Sequence, residues 1–356
     1  DSLGYHLLVH NGEEKIAVDD IVLNGDSIRI RMPLFDSEFR GVLVGDSSIA
    51  GTWCNYLKGP DYRVPFVASA GKNLRFAHRS TAMTTSLGGQ WEVHFSPGSE
   101  DAYDALGIFR SEKDLLTGTF GTETGDYRFL EGTVQGRKFY LSCFDGAHAY
   151  LFNGSIRNDT LLGEFRSGHR YQSLWMAWKD PNFKLSNADS LVQIKKGANI
   201  QFSATTPEGK KLQYPSVAFD NKIKVFTVMG TWCPNCRDEQ VFLREFVKEH
   251  PDLAADMSVV AFAFERNKDT SQINQHLLNY KKKLGIPFEI AYAGKSDKAS
   301  AASFFPALDR VLAFPTLMVI DKKGQVKLVH TGFDGPATSN YADFKQEFTS
   351  LIQALR

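Results

Sequence analysis

Lys224-Val225-Phe226-Thr227-Val228-Met229-Gly230-Thr231-Trp232-Cys233-Pro234-Asn235-Cys236 is the stretch that decides the fold of the C-terminal half. Its first six residues are a run of strand length in which Val225, Phe226, Val228 and Met229 are apolar, the pattern of a buried strand. Gly230 breaks the run. From Pro234 to about Glu249 the apolar residues Val241, Phe242, Phe246 and Val247 fall at helical spacing. The two cysteines therefore sit where a buried strand hands over to a helix. A thiolate is the nucleophilic form of cysteine. Unpaired backbone N–H groups and the dipole at a helix start favour that anion. Pro234 suits the first helical turn, where a missing N–H costs nothing. Cys233 is the expected attacking sulfur, and Cys236, one turn inside, the expected resolving one.

Reading outward, strand and helix patterns alternate. Ser258–Phe264 is a second apolar strand, and residues 270–283 read as a helix with Ile273, Leu277 and Leu278 inward. Thr316–Ile320 and residues 326–329 frame the turn Asp321-Lys322-Lys323-Gly324, and residues 341–355 form a last amphipathic helix. This alternation predicts an α/β layered domain over 198–356. Residues 1–179 follow a different grammar. Short alternating stretches such as Ser27-Ile28-Arg29-Ile30-Arg31-Met32 and Lys138-Phe139-Tyr140-Leu141 are separated by turns such as Asn24-Gly25-Asp26. They predict an all-β barrel or sandwich of unassigned role. An apolar-x-Gly-x-aromatic echo recurs at Ile49–Trp53, Leu116–Phe120 and Leu161–Phe165, where glycine allows a bend or close approach. Residues 180–197, with the turn Asp180-Pro181-Asn182, are the expected linker.

Composition narrows the function. Basic and acidic residues balance at 41 each, which offers no field for nucleic acid. No run of about 18 apolar residues is present to span a membrane. The chain begins at Asp1 without an initiator Met or signal segment, as expected of a mature or trimmed product. Four cysteines are too few for a disulfide scaffold. Cys54 and Cys143 could pair or stay separate buried thiols, and the sequence leaves both open. A Cys-x-x-Cys can be half a zinc site, but no second Cys/His pair follows, so no metal is expected. Peroxidase chemistry is disfavoured, because Phe226 and Gly230 stand where a peroxidatic cysteine has Pro and Thr/Ser upstream. Trp53, Trp91, Trp175 and Trp178 read as core residues.

In Met229-Gly230-Thr231-Trp232-Cys233-Pro234-Asn235-Cys236 and Ala313-Phe314-Pro315-Thr316, residues 200–356 resemble the thioredoxin superfamily, in its extracytoplasmic, membrane-tethered TlpA/ResA-like reductase branch. Residues 122–132 and 144–148 resemble, more weakly, the β region preceding such domains in Bacteroidota-type proteins. The resemblance implies a C-terminal thioredoxin fold and thiol–disulfide exchange, with protein disulfides as substrates and reduction as the direction. It implies that the bond before Pro315 is cis and that Pro315 packs beside the cysteines. Phe314 would then offer backbone groups to an extended substrate, with Trp232 and Pro234 lining the groove. Thioredoxin's buried Asp, six residues before the first Cys, is replaced here by Thr227. The branch uses acids elsewhere, which match Glu239 and Glu265 here. A partly buried carboxyl can move protons near neutral pH. For each the alternative reading is an acid facing water: on the helix for Glu239, at the strand end for Glu265. No bound cofactor is expected, because the cysteine pair carries the electrons, and a membrane thiol donor is implied. The resemblance also implies a periplasmic location, with a lipid anchor on a segment absent from this chain as one form of attachment. Two other readings stay open: a ligand- or partner-binding β domain with an accessory redox domain, and an oxidase or isomerase using the same motif.

Overall fold

The computed structural model describes residues 4–71, 75–76, 86–113, 115–266 and 269–356. These described residues fall into two compact units, the first lying within 4–122 and 127–185 and the second within 123–126 and 186–356. The expected linker 180–197 straddles that boundary. Val192 is buried in the core of the second unit, and Ile194 forms a β-bridge with Leu308.

In the first unit, residues 89–179 supply an antiparallel barrel. Eight strands follow one another as a meander, and the circle closes through the pairing of Tyr171–Lys179 with Gly89–Phe95. Closure leaves no exposed edge. Inward positions alternate with outward ones, and the interior is filled by Phe95, Phe120, Phe139, Phe152, Phe165 and Trp175. The glycine echo has a steric cause. A Cβ at Gly118 would lie 2.1 Å from the Ile108 carbonyl oxygen, and one at Gly163 would strike the Trp175 ring at 2.4 Å. The same unit holds a five-stranded meander over residues 20–69 and a hairpin of Leu7–Asn11 with Glu14–Val18. Cys54 and Cys143 are free buried thiols. Trp53, Trp91 and Trp175 are core residues, but Trp178 is not. It is 37% exposed, stacks on His94, and donates Nε1–H to Glu92. Its position is the outward one in the alternation of its strand, with Ala177 inside.

The second unit is built on a seven-stranded sheet in the order Lys211–Tyr214, Phe202–Thr205, Glu289–Lys295, Met257–Glu265, Ile223–Met229, Thr316–Ile320, Val326–Thr331. Ile223–Met229 runs parallel to Met257–Glu265 and antiparallel to Thr316–Ile320. All seven of its residues are buried, as its apolar run predicts for a central strand. Five helices accompany the sheet: α1 (Pro234–Glu249), α2 (Pro251–Ala254), α3 (Thr270–Leu284), α4 (Lys298–Phe304) and α5 (Asn340–Ala354). Phe226, Val228, Phe262 and Phe264 share a core with Ala301 of α4 and with Phe305. By strand alternation Val225, Thr227 and Met229 point to the opposite face. Phe242 of α1 packs on Phe348 of α5, ring centroids 5.2 Å apart. The hairpin of Phe202–Thr205 with Lys211–Tyr214, the strand Glu289–Lys295 and α4 lie outside the elements read from sequence. Each is short or only partly apolar, which blunts its periodicity.

Candidate active site

Cys233 occupies the N-cap of α1 in extended conformation, and Pro234 opens the helix. The turn that brings it there is tight. The Cys233 N–H donates to the Gly230 carbonyl at 3.1 Å, and a Cβ at Gly230 would meet the Trp232 ring at 2.2 Å. Both thiols are free. The Cys236 N–H donates to Cys233 Sγ at 3.3 Å, and Cys233 Sγ in turn donates to the Phe314 carbonyl at 3.4 Å. A backbone N–H aimed at a helix-cap sulfur is the arrangement that favours a thiolate there. Exposure separates the two sulfurs' residues: Cys233 is 8% exposed and Cys236 is fully buried. Burial, reinforced by the neighbouring Cys233, pushes the Cys236 thiol well above its ordinary range. Graded-pH alkylation of the reduced protein should therefore label Cys233 first. Peptide mapping that found Cys236 labelled faster would reverse the two roles.

The Phe314–Pro315 bond is cis. Trp232 meets Phe314 edge-on at 5.4 Å, and its indole N–H donates to the Phe264 carbonyl at 2.8 Å. The Arg266 guanidinium lies over the same indole, 4.7 Å from its centroid. Cys233, Trp232 and Phe314 are thus brought together. Pro315 is attached through its own peptide bond and is buried, as is Pro234.

The two carboxyls expected from sequence are both buried. Glu239, one turn after Cys236 on α1, is fully buried. Its Oε2 accepts from the Thr227 hydroxyl and from Gln240 Nε2 at 3.3 Å, whereas Oε1 has no protein partner. Burial pushes its pKa up to about 8, opposed by those two hydrogen bonds. The strand position that holds thioredoxin's acid therefore carries a donor, and the carboxyl reaches it from the helix. Glu265 ends the strand Met257–Glu265 and is 6% exposed. Its Oε1 accepts from the Thr231 N–H at 2.9 Å, and its Oε2 from the Thr231 hydroxyl at 2.8 Å. Burial raises it to about 7 against the pull of those bonds and of Arg266.

Other residues belong to the site that sequence reasoning passed over. His276 Nε2 lies 2.8 Å from the Thr231 hydroxyl. Tyr280, one turn further along α3, is buried with an unpartnered hydroxyl, and its ionisation is opposed by burial and then by Cys236. The apolar spacing of α3 marked its core face, but nothing local aimed His276 at the motif. Residues 123–126 pack as part of this unit. The Asn235 side-chain amide donates to the Asp126 carbonyl at 3.3 Å, and the Asp126 carboxylate accepts from the Gly335 N–H at 2.6 Å. Gly125 has φ +125°, a conformation side chains rarely adopt, and a Cβ there would also fall 2.0 Å from Asn235 Nδ2. With Asp126 and Asn235 separated by 109 positions, no local pattern signals this contact.

Residues 193–344 match the Redoxin family model. No curated protein matches the chain. Among solved structures it is similar to a thioredoxin-family thiol:disulfide interchange protein of Chlorobium tepidum, at 22% identity and a TM-score of 0.34, over 45% of this chain and 99% of that one. It is also similar to a thiol-disulfide oxidoreductase of Bacteroides fragilis, at 16% identity and a TM-score of 0.31, over 40% and 96%. For StoA of Bacillus subtilis the values are 18% and 0.30, over 42% and 96%.

Proposed function

We propose, starting from the Redoxin domain in the C-terminal region, that the chain is an extracytoplasmic thiol–disulfide oxidoreductase that reduces protein disulfides. The observation that carries the reading is the asymmetry of the cysteine pair. Cys233 is reachable and caps a helix, and Cys236 is fully buried, with its backbone N–H at hydrogen-bond distance from Cys233 Sγ.

The chemistry follows from that geometry. The Cys233 thiolate attacks one sulfur of a substrate disulfide, forming a mixed disulfide and expelling the other sulfur as a thiolate. The Cys236 thiol then loses its proton and attacks Cys233 Sγ. The second substrate thiolate leaves, the Cys233–Cys236 disulfide forms, and two electrons have passed to the substrate. A buried thiol does not ionise readily unaided, so the step needs a base. Glu239 supplies it in this reading: its Oε1 is unpartnered, and its pKa of about 8 suits proton exchange near neutrality. The Phe314 carbonyl, Trp232 and the segment before Pro315 give an extended substrate its docking edge. A thiol donor at the membrane regenerates the reduced pair. The location rests on the resemblance. Among the described residues no helix is long and apolar enough to cross a membrane.

The test is stoichiometric. Reduced protein mixed with oxidised insulin should lose both Cys233 and Cys236 thiols and open one substrate disulfide per chain, read by thiol counting and peptide mass. Retention of both thiols would remove the reading.

A further inference from the structure

We propose that His276 is the solvent-side port of a proton relay that runs through the Thr231 hydroxyl to the Glu265 carboxyl. The proposal rests on the reading that the cysteine pair performs thiol–disulfide exchange, and it adds a positioning residue on α3 to that chemistry.

Three contacts carry it. The Thr231 hydroxyl donates to Glu265 Oε2 at 2.8 Å, and the same oxygen lies 2.8 Å from His276 Nε2. The Thr231 N–H holds the other carboxylate oxygen at 2.9 Å, which fixes the carboxyl in place. Thr231 and Glu265 are buried, whereas His276 is exposed. The hydroxyl therefore links a buried acid to an exposed imidazole. A hydroxyl can accept one proton while passing on its own, so it relays without changing charge. His is the side chain whose ordinary titration lies nearest neutrality.

Outward, the Glu265 carboxylic acid gives its proton to Thr231 Oγ1, and Thr231 gives its own to Nε2 of neutral His276. The resulting imidazolium releases the Nδ1 proton to water. Glu265 ends as a carboxylate, and one proton has entered solvent. Inward transfer reverses each step, and no electron moves. Burial holds Glu265 at about 7, so both of its forms are populated where the enzyme would work. The other groups that bear on it are Arg266 beside it on the chain, which favours the carboxylate, and Tyr280 from α3, which also senses both cysteines. Thr231 stands two residues before Cys233, so the relay passes through a residue of the redox segment itself.

The experiment measures closure of the mixed disulfide, by rapid quench with oxidised insulin, across pH for the full chain and two variants. His276→Ala should slow closure about 10-fold near pH 7, less than the roughly 10²–10⁴-fold of a group that exchanges a proton directly with the reacting atoms, because His276 acts through Thr231 and Glu265. Added imidazole should restore most of that rate. Thr231→Val should show a similar loss that imidazole does not repair, because the link itself is gone. A His276→Ala profile that overlays the wild type, or a loss that imidazole leaves untouched with the shape of the pH profile unchanged, overturns the relay. Insulin reduction that survives Cys233→Ser would instead contradict the thiol-exchange reading on which the relay rests.

Discussion

Replacing Cys236 by Ser should convert the protein into a trap. The Cys233 thiolate can still attack a substrate disulfide, but nothing then displaces the bound partner. Mixed disulfides through Cys233 should accumulate and dissolve on adding dithiothreitol. Turnover should fall on the order of 10³-fold or more, as when one member of a catalytic unit is removed. Cys233→Ser should lose as much turnover and trap nothing, because Cys236 is fully buried. The pair of variants separates the roles where a single loss of activity would not. Non-reducing gels followed by peptide mass mapping read the outcome. Equal trapping by both variants would contradict the geometric asymmetry.

The second large effect concerns stability. Glu239 has a folded pKa of about 8 against an ordinary 4.5, because burial penalises the charged form. Between those two values the unfolded chain has released the proton and the folded chain still holds it. Stability therefore declines as pH rises from about 4.5 to about 8, at roughly 1.4 kcal/mol per pH unit, and levels off above the folded value. Glu265, raised to about 7, adds a decline of the same sign over a narrower window. Glu239→Gln keeps a neutral amide of similar shape and removes the first contribution. It should stabilise the protein at pH 8 by several kcal/mol, on the order of 3–5, and by little at pH 5. Denaturant titrations of both proteins at the two pH values check this. A Gln variant less stable than wild type at pH 8 would mean that the carboxylate is compensated within the fold.

The parts of this account that were legible in sequence share one property: their signal is local. The buried run 224–229, the cysteines at a strand–helix junction and the proline before Thr316 each lie within a few residues of their partners in the reading. The strand Ile223–Met229 and α1 emerged close to the expected bounds for that reason. The meander was legible as repeated hairpins, but its closure was not. The pairing of Tyr171–Lys179 with Gly89–Phe95 is a long-range event that alternation cannot encode. Glu239 shows the same limit from another side. In sequence a solvated helix acid and a buried proton carrier look alike. The difference lies in Thr227, 12 residues away, whose hydroxyl draws the carboxylate inward. His276 and Asp126 were invisible for want of any nearby pattern. Trp178 was assigned to the core by residue type alone, although the phase of its strand turns it outward.

Equilibration against dithiothreitol and glutathione buffers tests the central claim most directly, because it asks whether this cysteine pair is a reversible electron carrier and which way it runs. A helix terminus favours a thiolate in general and so makes a cysteine pair more oxidising. The sealed Cys236, the two buried carboxyls and the apolar cover of Trp232 and Phe314 oppose it. The account predicts one intramolecular disulfide, Cys233–Cys236, with a midpoint near thioredoxin's roughly −270 mV. A midpoint near the roughly −120 mV of a strong oxidant, or no reversible disulfide between these two residues, would contradict it.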